Sequence, residues 1–67
     1  MIDCYLNGEK ITVKEGDSLS DILVKLKQNR NGIALAINDS VIPKTDWELT
    51  YVKSDDKILI IQATQGG

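Results

Sequence analysis

Histidine and phenylalanine are missing from this 67-residue chain, and cysteine and proline occur once each. Each gap closes off some chemistry. With no histidine and only Cys4, a zinc site built from nitrogen and sulfur ligands lacks its donors. Ser-His and Cys-His nucleophile pairs lack their base. A single cysteine forms no internal disulfide, so nothing asks for an oxidising compartment. A reducing, cytoplasmic setting is the expectation, with an organelle stroma serving equally. No apolar run is long enough to cross a bilayer, and no basic segment followed by an apolar stretch opens the chain, so neither membrane insertion nor a secretory leader is expected. Basic blocks are missing too. Eight Lys and Arg stand against ten Asp and Glu, for a net charge of −2, and the two signs are interspersed. Nucleic acid, whose binding rests on clustered cations that neutralise phosphates, is not an expected partner.

What is there suffices for one small domain with an economical core; 42% of the residues are hydrophobic. "MIDCYLNGEKITV" places Ile2, Cys4 and Leu6 in alternation before Asn7-Gly8, and Ile11 and Val13 in alternation after it. Asn-Gly between alternating runs predicts a β-hairpin, because both positions accept positive φ. Past Gly16-Asp17 the period changes. Ser18 with Asp21 three positions on makes a capping-box N-terminus, and Leu19, Ile22, Leu23 and Leu26 fall on one helical stripe. Lys25, Lys27 and Gln28 take the other side. The pattern predicts one amphipathic helix from about Ser18 to Arg30, closed by Asn31 or Gly32 in a left-handed cap.

"GIALAIN" reads as a strand that turns at Asn38-Asp39, and "VIP" as a short edge strand, since Pro43 has no ladder donor. "KTDWELTYVKSDDK" reads as an irregular crossing with a helical turn, anchored by Trp47, Leu49, Tyr51 and Val52. "KILIIQA" is the last strand. One helix among these strands buries its stripe against one face of a mixed sheet; by analogy with ubiquitin-like proteins, the first and last strands are expected to be central. The fold class expected is α+β, the β-grasp arrangement of ubiquitin-like proteins. The domain spans residues 1–61, and residues 62–67 form an extended tail.

Several residues invite a functional reading. Cys4 shares the parity of Ile2 and Leu6, so it belongs with the core, where a thiol is a small hydrophobe and a poor nucleophile. Trp47 reads as a lid over one end of the core rather than a partner hot spot. Asp55 and Asp56 read as a solvated turn, since a hard cation needs more converging oxygens. In the last strand Ile58 and Ile60 face the helix. Leu59 and Ile61 then face away, on a side that one helix cannot cover, and an exposed apolar patch of this kind marks a docking surface. Burial of that pair under a crossing loop is the alternative.

The end of the chain, "QATQGG", follows directly on that strand. Residues 62–67 extend to roughly 20 Å at most, and Gly66 and Gly67 carry no Cβ, so with Gln65 they fit a narrow channel in a partner. An unhindered carboxylate on Gly67 suits activation by ATP as an acyl adenylate, followed by attack of a sulfur nucleophile. The chemistry would belong to the partner, and this chain would be its substrate and no enzyme.

Taken together, the "LNGE" turn, "SLSDIL", "GIALAIN", "VIPKTDW", "DDKILI" and the final "QGG" resemble, in that order and over essentially the whole chain, the ThiS family of sulfur carriers in thiamine biosynthesis. One departure is Asp55-Asp56 where the family has Gly-Asp; aspartate accepts left-handed backbone better than most residues. The resemblance implies a ThiF-type adenylating enzyme that uses ATP, a cysteine desulfurase as sulfur source, and a ThiG-type thiazole synthase as recipient. It implies that Gly67 bears first the adenylate and then a thiocarboxylate, with Gly66 threading into the partner. No bound cofactor is implied, and the free chain is expected to be a monomer. The alternatives are a carrier for molybdopterin synthesis with the same terminal chemistry, a covalent protein modifier, and an interaction domain with a passive glycine end.

Overall fold

The computed structural model describes residues 1–28 and 31–62. Five strands and one helix follow one another as β1 (Ile2–Leu6), β2 (Glu9–Val13), α1 (Leu19–Lys25), β3 (Ile33–Ile37), β4 (Ser40–Ile42), a single 3₁₀ turn (Lys44–Asp46) and β5 (Lys57–Gln62). The strands form one mixed sheet in the order β2-β1-β5-β3-β4. β1 and β5 are parallel and every other pair is antiparallel. This is the α+β β-grasp arrangement expected from the sequence.

Both hairpins turn on two residues with positive φ, Asn7 (48°) and Gly8 (86°) in the first, Asn38 (50°) and Asp39 (72°) in the second. Mirror-image turns of this type match the twist of the flanking strands. The helix begins as the sequence indicates. Ser18 Oγ accepts the Asp21 N–H at 3.1 Å, and Asp21 Oδ2 accepts the Ser18 N–H at 3.0 Å.

The helix ends sooner than the pattern predicts. It stops at Lys25, and Lys27 rather than Asn31 or Gly32 takes the left-handed cap, with φ 56°. The Lys27 N–H donates to Val24 O at 3.1 Å and the Gln28 N–H to Leu23 O at 3.0 Å, the paired bonds of a Schellman motif. The next two positions on the stripe after Leu26 are Asn29 and Arg30, so a further turn would bury nothing. Leu26 itself stays partly exposed at the cap. Gly32 does adopt positive φ, 75°, but in the turn entering β3.

The core lies between α1 and one face of the sheet. Leu19, Ile22 and Leu23 from the helix meet Cys4, Val13, Leu35 and Ile58 from the strands, and Trp47 and Val52 close the end. Trp47 is buried, with its indole N–H donating to Ile42 O at 2.9 Å; it is the lid and has no surface to offer a partner. Leu49 and Tyr51 are not anchors. Both are exposed, because the crossing segment holds its place through backbone bonds, Leu19 N–H to Thr50 O at 2.9 Å and Val52 N–H to Asp17 O at 3.0 Å.

Candidate functional site

The outward face of the sheet follows from the pleat, since side chains alternate faces and ladder partners share one. Ile58 and Ile60 on β5 pair with Ile37 and Leu35 and pack toward the helix. Leu59 and Ile61 pair with Ala36 and Ala34 and face away from it. They are 48% and 44% exposed, so among the described residues no crossing loop covers them. Val41, opposite Ala36 on β4, is exposed on the same face. The small alanines of β3 leave Leu59, Ile61 and Val41 standing above their neighbours. The alternation of small and large residues in "IALAI" carries that information.

At the end of this face near the two hairpin turns is a concavity of about 430 Å³, lined by Tyr5, Asn7, Ala36, Asp39, Lys57 and Leu59 among others. On the β1–β2 hairpin, where Lys10 is the ladder partner of Tyr5, Lys10 Nζ lies 3.6 Å from Asp3 Oδ2. Both partners are well exposed, so this ion pair adds little to stability.

β5 runs through Gln62, which pairs with Ile33, so the first residue of the expected tail lies in the sheet. Gln65, Gly66 and Gly67 lie outside the described residues. Five residues follow Gln62, an extended reach of about 17 Å. The apolar pair Leu59 and Ile61 therefore lies on the strand that immediately precedes the tail in sequence.

The remaining chemistry-bearing groups serve the fold. Cys4 is fully buried. Burial pushes its thiol up, and the nearby carboxylates of Asp56 and Asp3 add to the effect, so the chain's one thiol is a poor nucleophile. Asp56 braces a turn: its Oδ2 accepts the Lys53 N–H at 2.8 Å and its Oδ1 accepts Asn38 Nδ2–H at 3.0 Å. Asp17 accepts from the Lys25 ammonium and from the Lys14 N–H. The Lys25 hydrogen bond holds its carboxyl below the usual range, against the opposing effect of burial. Among the described residues no group of three or more Cys, Asp or Glu is placed to hold a metal ion, and no helix is long and apolar enough to cross a membrane.

Comparison with known proteins agrees with this architecture. The model of the ThiS family matches residues 3–67. The sulfur carrier protein ThiS of Escherichia coli is 33% identical over 61 residues, which cover 91% of this chain and 92% of that one. A Porphyra purpurea protein, uncharacterized ycf40, is 35% identical over 66 residues, covering 98% and 93%. The crystal structure of the thiamine biosynthesis protein ThiS from Geobacter metallireducens superposes with a TM-score of 0.86 at 23% identity, over 98% of this chain and 100% of that one; at that identity the likeness concerns the fold. With a family model matched from the first strand to Gly67 and a relative aligned over nine-tenths of both chains, this chain belongs to the ThiS family of sulfur carriers.

Proposed function

We propose that Gly67 is the working end of the chain and that its carboxylate carries sulfur for the thiazole ring of thiamine. The Gly67 carboxylate attacks the α-phosphorus of ATP on a ThiF-type adenylating enzyme, and pyrophosphate leaves. The outer sulfur of a persulfide, mobilised from cysteine by a desulfurase, then attacks the acyl carbon. The C–S bond forms and AMP departs, leaving an acyl disulfide; a thiol reductant, such as excess cysteine, cleaves its S–S bond, and a thiocarboxylate remains for a ThiG-type thiazole synthase to use. ATP is thus the enzyme's substrate, and this chain is a protein co-substrate. Membership of the ThiS family, together with the name of the Geobacter metallireducens structure as a thiamine biosynthesis protein, favours this acceptor over molybdopterin synthesis.

The observation that carries the reading is the layout of β5: an uncovered apolar pair, Leu59 and Ile61, on the strand that leads into the glycine tail. Docking through that pair leaves Gly67 at most about 20 Å from Ile61, while Gln65 and Gly66 thread toward the nucleotide. Cys4, buried beneath the sheet, is kept away from the activated acyl group, so the adenylate is not lost to the chain's own thiol.

Pyrophosphate release by the adenylating enzyme with ATP tests the first step. Release that depends on the full-length chain and disappears when Gly67 is removed is expected. Equal release with the shortened chain would refute the assignment.

A further inference from the structure

The β1–β2 turn does more than reverse the chain. β1 accompanies β5 for two rungs, Tyr5 with Lys57 and Leu6 with Ile58, and then swings into β2. β5 continues to Gln62 paired with β3 alone. Past Ile58, a strand held from one side is free to twist out of the sheet. Asn7 fills the vacated place. Its backbone N–H donates to Ile58 O at 2.9 Å, and its side-chain Oδ1 accepts the Ile60 N–H at 2.8 Å. The side chain supplies the rung that the β1 backbone no longer provides.

Turn chemistry alone does not call for this contact. A φ of 48° at position 7 suits glycine even better than asparagine. The grip on Ile60, 53 positions away, needs a side-chain oxygen. Ile60 sits between Leu59 and Ile61 and two residues before the end of β5. Fixing its amide holds the pleat that aims both apolar side chains outward, and it fixes the direction in which the chain leaves the sheet.

We propose that Asn7 is a positioning residue for the C-terminal tail: it holds the outward face of β5 and the tail's point of departure in one register, so that a partner docked on Leu59 and Ile61 meets Gly67 at a set reach. The inference rests on the carrier reading above.

Two variants test it. Asn7→Gly keeps the backbone conformation and removes the oxygen, and Asn7→Asp restores an acceptor on a residue that also tolerates the turn. Amide hydrogen exchange reads the grip on Ile60, and pyrophosphate release by the adenylating enzyme, measured across chain concentrations, reads the consequence. Asn7→Gly is expected to stay folded at the assay temperature by its melting curve. Its Ile60 amide should exchange about fivefold faster, the loss of one ordinary hydrogen bond, while the amides of Ile22 and Leu35 hold steady. Its kcat should fall severalfold with a smaller change in KM, and Asn7→Asp should recover both readouts. Unchanged Ile60 exchange, or faster exchange with wild-type kcat, would overturn the inference. A wild-type chain that supports no pyrophosphate release overturns the carrier reading and this inference with it. That outcome is distinct, because failure of the inference alone leaves the wild type active.

Discussion

Leu59 stands opposite Ala36 across the β3–β5 ladder, a half-exposed side chain above a small buried one. The same strand turns Ile58 and Ile60 toward the helix. β5 therefore does two jobs, one on each face: it closes the core and presents apolar surface just before the glycine tail.

Replacing Leu59 with alanine separates these jobs. Exposed substitutions away from special features change stability by about 0.5 kcal/mol or less, so the melting curve should barely move. If Leu59 anchors the partner, the KM for the chain in pyrophosphate release should rise about tenfold, corresponding to about 1.4 kcal/mol. An unchanged KM would remove Leu59 from the docking surface.

Burial of Cys4 predicts a thiol that a soluble disulfide reagent reaches only when the chain opens. Labelling of the native protein should track its unfolding rate and become immediate in denaturant. Cys4→Ser, which places a hydroxyl where a thiol packs among hydrophobic side chains, should cost about 1–3 kcal/mol. Rapid labelling of the native chain would contradict the core placement.

Asp17 makes stability depend on acid. Its carboxyl titrates below the ordinary aspartate value of 3.8, chiefly through the Lys25 hydrogen bond. The folded state therefore binds the proton more weakly than the unfolded one. The contribution is fully present above the unfolded value and is lost as pH falls through the folded one. Asp17→Asn should melt below the wild type at pH 7, and the gap should narrow as the pH drops below about 4. A gap of constant size across that range would mean that the ion pair contributes nothing.

Asp55 holds φ 67° in the turn before β5, and its N–H donates to Asp3 O at 2.8 Å. Left-handed backbone costs a residue with a Cβ about 1 kcal/mol relative to glycine. Asp55→Gly should stabilise the chain by about that much and raise the melting temperature by roughly 4–8 °C. A lower melting temperature would show that the Asp55 side chain makes up for the strain.

The parts of this fold legible in the sequence are those governed by local rules. Asn7-Gly8 and Asn38-Asp39 announce their turns through backbone sterics, Ser18 and Asp21 announce the helix start, and alternation places Cys4 inside. The misread parts depend on distant contacts. The helix stops at Lys25 because the residues after Leu26 have nothing to bury, a point that the stripe up to Leu26 does not reveal. Leu49 and Tyr51 look like anchors by composition, yet Trp47 and Val52 fill the available interior. The grip of Asn7 on Ile60 was hidden because the two meet only once β1 and β5 lie side by side. Of the candidate site, the outward pair on β5 was readable from parity, whereas the small-residue floor beneath it becomes evident only when β3 is aligned against it.

The central claim is that Gly67 carries sulfur, and intact mass reads it directly. The full-length chain and a chain lacking Gly67 are incubated with the ThiF-type adenylating enzyme, ATP, the desulfurase and cysteine. A mass gain equal to sulfur replacing one oxygen, on the full-length chain alone, is the predicted result. No gain on the full-length chain, with the enzymes active on an established carrier, would contradict the account.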